Sequence, residues 1–455
     1  MPFHSPGFLL LLLPTFALYY VWRTQRWQHF LLFVSSFAFY YFAGIRDLCI
    51  LLFTTFANYL LARLWPTKRG MIAGVALNLG VLAYFKYRFF LADLVPGASE
   101  MMRLGGQLSI PLGISFYIFQ LIAYQVDRWR GLVPAEENFS KLLLYILFFP
   151  HHQAGPIMRP AQFLPQFVGP KQPELHGIAT GVRWILWGLA KKVAADRLGL
   201  VLDPIFAAGP HGAANAWAGA IGYYAQIYGD FSGYSDMAVG LGLLFGYRLD
   251  RNFNQPYLAL NPSDFWNRWH ITLSSWLRDY LYIPLGGNKH GPGRTYLNLM
   301  LTMLLGGLWH GAAWNFVVWG AIHGALLCAY RVAPRVTKVP VALRWLVFQV
   351  AVLFAWIPFR CVTLDRTLGF WQALLTPTNA AADLKSWLAI LFGAGLLIGL
   401  HLLEDLATGS EQKKERAEAL WLRVPSFARG GVGAVVLVVS ALMLVEGTTF
   451  IYFRF

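Results

Sequence analysis

Charge is what this 455-residue sequence has least of: only 13% of its residues are Asp, Glu, Lys or Arg. Soluble globular proteins carry about 25%. A soluble chain of this length could not cover its surface with so few charges, whereas lipid solvates the outer face of a membrane protein. The 57% hydrophobic content and the mean hydropathy of +0.49 agree. Cysteine is also scarce. Cys49, Cys328 and Cys361 form no CxxC pair, so neither a disulfide framework nor a zinc motif is present. They read as small buried hydrophobes. HExxH, the P-loop, the GxSxG elbow and a dinucleotide fingerprint are all missing, so no protein nucleophile and no metal site is indicated. Acidic residues are the rarer charge, 22 against 37 basic, which leaves the chain at +15. The basic residues are dispersed between apolar runs instead of massed in one block. That is the pattern of cytoplasmic loops and not of nucleic-acid binding.

What is abundant is apolar sequence. The segment 7–22 lacks a basic leader and a small-residue cleavage site, so it reads as a first span and not a signal peptide. Arg23 and Arg26 follow it and put its C-terminal end in the cytoplasm. Further apolar runs lie near 30–45, 48–62, 71–91, 107–126, 142–150, 178–190, 213–229, 234–247, 297–311, 312–330, 341–358, 387–403 and 430–453. A spanning helix needs about 20 residues, and several runs are shorter. The expectation is an all-α polytopic membrane protein of about eleven spans plus re-entrant and interfacial helices, counted by that length rule. Three stretches break the pattern. Residues 149–170 contain five prolines, which forbid a continuous helix. Residues 248–294 hold six Lys or Arg against three Asp or Glu, which suits a cytoplasmic or interfacial layer of short helices. Residues 404–429 balance five acidic with five basic residues and read as a solvated loop. There is no internal repeat, and no room for a separate soluble domain.

Ionisable groups inside a membrane are costly and are functional candidates by default. His310, in LLGGLWHGAAWNF, is the strongest. Gly306, Gly307 and Gly311 around it permit close backbone approach. His270 lies in DFWNRWHITLSSWLRDYLYIPLGGN with Arg268, Trp269, Trp276, Arg278 and Asp279. These aromatic and basic residues suit either an entry for an anionic donor or an aromatic belt. His151 and His152 have no carboxylate or thiolate at ligand spacing, so they do not make a metal site. Asp230, Ser232, Ser235 and Asp236 form a polar cluster between apolar runs and are expected to pair with one another or with partners. Histidine acting as general base on an acceptor hydroxyl is the simplest chemistry available.

The strings FFPHHQAGPIMRP, YGDFSGYSDMAVGLGLLFGYRLDRNFNQPYLALNPSDFWNRWHITLSSWLRDYLYIPLGGN, LLGGLWHGAAWNFVVWGAIHG and FIYFRF resemble the membrane-bound O-acyltransferase family. Within it they are most similar to the alginate O-acetyltransferase branch. His152–Gln153 departs from the apolar residues expected after the first histidine. The resemblance implies one transmembrane domain over 1–455, with core motifs in 149–324, built as a ring of helices around a central tunnel. It implies His310 as the catalytic histidine and His270 as the second active-site histidine. It further implies a bacterial inner-membrane enzyme with no permanently bound cofactor. Its donor would be acetyl-CoA or another acyl-CoA, held near Arg268, Trp269, Trp276 and Arg278. Its acceptor would be an extracytoplasmic polysaccharide or an acetyltransferase-like periplasmic partner. Alternatives are D-alanyl transfer to teichoic acid within the same family, a transporter, or a non-catalytic assembly subunit. Paired discontinuous half-helices, the usual pointer to a transporter site, are absent from the sequence pattern.

Overall fold

Helix initiation follows the polar punctuation between the apolar runs. The side chains of Ser5, Thr24, Thr67 and Thr363 each accept a backbone N–H from the first turn of the helix that follows, satisfying donors that the helix itself leaves open. The computed structural model describes residues 2–95, 109–136, 138–332, 339–376, 384–408 and 425–443. Within those residues every regular element is helical. Four helices, Ile45–Leu64, Lys68–Ala92, Val341–Arg360 and Ser386–Glu404, are long and apolar enough to cross a membrane. Large apolar side chains such as Leu10, Phe53 and Phe392 stand exposed, as lipid-facing residues do.

The expected spans differ from the observed helices in three places. The first helix, Pro6–Tyr19, has 14 residues, about 21 Å at 1.5 Å per residue, which is short of a bilayer core of about 30 Å. The run 178–190 is part of one helix of 34 residues, Leu175–Ala208. The runs 213–229 and 234–247 are joined in one helix of 32 residues, Ala213–Leu244. The polar residues between those two runs do not interrupt the helix, because they are paired within the protein. The FIYFRF terminus lies outside the described residues.

The chain divides into two compact units, Met1–Ile185 with Met237–Asp250, and Leu186–Asp236 with Arg251–Phe455. In the first unit, Asn58 and Asn78 exchange amide hydrogen bonds of 3.0 and 2.7 Å, and Gln125 donates to Asn58. This buried amide cluster joins the helices Ile45–Leu64, Lys68–Leu82 and Ile114–Trp129. The proline-broken stretch forms the short helices Phe149–His152 and Pro160–Phe163 followed by a 3-10 turn. Its residues from Phe149 to Met158 are buried, as irregular backbone at membrane depth must be.

In the second unit, the layer expected at 248–294 is a series of short helices. Asn261 caps Pro262–Trp266 by accepting from the Asp264 N–H at 2.9 Å. Ile271–Leu277 and a π-turn, Arg278–Tyr282, follow. Then come the paired helices Gly291–His310 and Trp314–Val332. Glycine allows their close approach: a Cβ on Gly307 would lie 2.3 Å from the Phe316 carbonyl oxygen, and one on Gly320 2.4 Å from that of Met303. This contact sets where His310 emerges.

Candidate active site

His310 is the last residue of its helix, and Gly311 turns the chain toward the next one. A Cβ on Gly311 would fall 2.1 Å from the Phe316 ring, so the turn admits no larger residue without displacement. The His310 side chain is buried. The rings of Trp309, Trp319 and Phe359 surround it, each with its centroid 5.0 Å away and steeply inclined. Trp319 and Trp356 extend the aromatic wall, and His323 packs on both.

His270 arrives from the short-helix layer. Its backbone is left-handed, at φ 41° and ψ 56°, a conformation disfavoured for a side chain carrying a Cβ. The flanking hydrogen bonds hold it there. Ile271 N–H donates to the Asn252 carbonyl at 2.9 Å, and Asn254 N–H to the Arg268 carbonyl at 3.0 Å. Strained backbone of this kind persists only where its surroundings over-determine it, and it clusters at functional sites. The His270 ring is fully buried, 4.6 Å from Phe231 and 6.2 Å from Trp309. Burial pushes its pKa down to about 3, so the imidazole rests neutral. Trp309 thus touches both histidines, and the structure brings together the two residues that the sequence put 40 positions apart.

A polar triad lies behind His270. Its Nδ1 is 3.3 Å from Asn252 Oδ1. That oxygen also accepts from Thr272 Oγ1 at 2.6 Å, while Asn252 Nδ2 donates to Ser235 Oγ at 3.0 Å. Asn252 escaped the sequence analysis. It is an uncharged residue in a loop, and only its spacing from His270 in three dimensions marks it.

The acidic members of the YGDFSGYSD cluster turn to lysines. Lys191 lies 2.5 Å from Asp236 and 3.1 Å from Glu404. Lys192 lies 2.5 Å from Asp196 and 2.6 Å from Asp230. Tyr228 donates to Glu404 at 2.7 Å. Both lysines are fully buried. The expectation of a paired network holds, but its cations were missed because the apolar run was ended just before them. Glu404 corrects the solvated-loop expectation. It is buried inside the helix Leu384–Thr408, because two donors meet its carboxylate. Residues 409–424 of that loop lie outside the described residues.

The residues expected to hold a donor divide into two groups. Trp269 and Trp276 are buried. Trp269 lies among Phe253, Phe265 and Trp356, and Trp276 beside Tyr280. Arg268 pairs with Asp264 and Arg278 with Asp279, each at 2.7 Å, and the Arg278 side chain is 61% exposed. His151 and His152 belong to the first unit. The Gln120 amide lies 2.9 Å from His151 Nδ1, and His152 Nδ1 lies 2.8 Å from the Ile146 carbonyl oxygen. Among the described residues, no group of three or more His, Cys, Asp or Glu is placed to hold a metal ion. The chemistry the constellation offers is proton transfer by buried neutral imidazole.

Comparison with known proteins covers the same part of the chain. The family model described as MBOAT, membrane-bound O-acyltransferase family, matches residues 134–364, a stretch that contains both histidines and Asn252. The chain is 40% identical to an Azotobacter vinelandii protein named probable alginate O-acetylase AlgI, over 92% of this chain and 89% of that one. It is 35% identical to the peptidoglycan O-acetyltransferase of Helicobacter pylori, over 82% and 79% of the two chains. With the teichoic acid D-alanyltransferase of Bacillus subtilis it shares 30% identity over 48% and 58%. The chain belongs to the membrane-bound O-acyltransferase family, and it is an O-acyltransferase.

Proposed function

We propose that this enzyme moves an acetyl or other short acyl group from a cytosolic acyl-CoA to a hydroxyl on the far side of the bacterial inner membrane. The acceptor is an extracytoplasmic polysaccharide or a periplasmic acetyltransferase-like partner protein. The observation that carries the proposal is the single indole, Trp309, packed against both His270 and His310.

In the proposed step the acceptor oxygen attacks the thioester carbonyl carbon while the His310 imidazole takes the hydroxyl proton. The C–S bond then breaks, and the same proton passes to the departing thiolate, giving the free thiol and the acyl ester. No net proton is gained or lost, so a neutral histidine suffices. His270, packed against the same indole, Trp309, orients one of the reactants. The exposed Arg278 and half-exposed Arg268 offer cationic contacts to the phosphates of the donor, with Trp269 and Trp276 shaping the ground behind them.

Greater identity and coverage with the acetyl-transferring relatives than with the D-alanyl-transferring one favours acetyl. The test is reconstitution in liposomes with acetyl-CoA labelled in its acetyl group. De-acetylated alginate oligomers and peptidoglycan fragments are offered separately, with and without co-purified partner proteins. Label arriving on a polymer or partner hydroxyl supports the proposal. An intact donor under every condition, with folded protein present, would overturn it.

A further inference from the structure

The contacts of Asn252 give it a more specific task than filling space, and they have a direction. Its side chain is 1% exposed. The Thr272 hydroxyl and His270 Nδ1 both meet Oδ1. Nδ2 faces the Ser235 hydroxyl oxygen. The Thr272 and Ser235 hydroxyls can each donate or accept, and they pin the two ends of the amide in place beside the ring. With Oδ1 toward the ring, as found here, Oδ1 accepts and Nδ1 carries the proton of the neutral imidazole. The lone pair is left on Nε2. The Asn252 backbone carbonyl also accepts from Ile271 N–H, so one residue holds both the left-handed turn and the ring of His270.

We propose that Asn252 is a positioning residue for acyl transfer: it sets the tautomer and aim of His270, with Ser235 and Thr272 fixing its own amide. The inference rests on the function proposed above, in which His270 serves the transfer. The helix Ala213–Leu244, packed against His270 through Phe231, carries the ionisable residues Tyr223, Tyr224, Tyr228, Asp230, Tyr234 and Asp236. His310 stands at the end of its own helix, and Arg251 and Arg268 flank the turn. The two aspartates are salt-bridged to Lys192 and Lys191, so a charge placed at position 252 is the nearest new influence on the ring.

Two substitutions and a control decide the matter, assayed for acyl transfer from acetyl-CoA in reconstituted full-length protein. Asn252→Asp keeps shape and acceptor and adds a negative charge, which favours imidazolium. Its acid limb, the pH below which activity is lost, is expected to move to higher pH, with substantial activity retained on the alkaline side. Asn252→Leu removes the acceptor and is expected to lower kcat about 10²-fold or more, the scale of a misplaced reactant. A residue that only supported the fold would lower folded yield and leave the pH profile of the Asp variant in place. Should the Leu variant fail to accumulate, the Asp profile alone decides. His270→Gln is the control. If it transfers at the wild-type rate, the functional role of His270 falls and this inference with it. If it is inactive while Asn252→Asp keeps the wild-type acid limb, the positioning role alone is overturned.

Discussion

At the scale of single residues, the site depends on polar groups held where water is excluded. His310 and His270 were legible in the sequence because an ionisable side chain in an apolar setting is expensive and needs a reason. Their shared neighbour was not legible, since Trp309 is one tryptophan among 18 and only packing shows which one touches both rings. Arg278 was legible as charge and is placed by the fold at the surface. Because its side chain is mostly exposed and pairs with the adjacent Asp279, Arg278→Glu should leave folding intact. If the arginine meets a donor phosphate, the apparent KM for acetyl-CoA should rise about tenfold or more, the loss of one charge-assisted contact. Steady-state kinetics at fixed acceptor measure this. An unchanged KM in folded protein would remove Arg278 from the donor site.

At the scale of helices, the expectation of separate spans at 213–229 and 234–247 failed for a physical reason. Acidic residues in mid-helix break a hydropathy pattern without breaking a helix when cations neutralise them inside the protein. Lys191 and Lys192, adjacent residues that sequence periodicity does not single out, supply that charge from the helix Leu175–Ala208. Removing one partner of such a set leaves buried charge uncompensated, at a cost of about 3–5 kcal/mol. Lys191→Met should therefore sharply lower the thermal midpoint of the detergent-solubilised protein. Adding Asp236→Leu and Glu404→Leu should restore much of the loss, because apolar replacement of a complete ionic group is often neutral. Thermal unfolding of the single and triple variants tests this. A single variant that melts with the wild type would show that the network contributes nothing to stability. The glycine contacts between Gly291–His310 and Trp314–Val332 were partly legible, as Gly306, Gly307 and Gly311 beside the histidine. Gly320 on the opposing helix completes the approach.

At the scale of the whole chain, the all-helical class was legible from the shortage of charge and the apolar runs. Helix number was not, because burial and lipid exposure leave the same hydropathy signature in short runs. The layer 248–294 is rich in cations and is expected on the cytoplasmic side. A cysteine at Lys289, introduced after replacing the native Cys49, Cys328 and Cys361, should resist an impermeant thiol reagent added outside intact cells and react in inverted vesicles. Labelling from outside would reverse the topology and the side from which the donor enters. The central claim is that an acyl group crosses the bilayer and is transferred with His310 as base. Vesicles of uniform orientation, given acetyl-CoA only on the cytoplasmic face and acceptor only on the other, test it directly. Wild-type protein should transfer the label, and an equal amount of folded His310→Gln, which keeps hydrogen-bonding capacity but cannot act as a base, should be slower by about 10²–10⁴-fold. Transfer by His310→Gln at the wild-type rate would contradict the account.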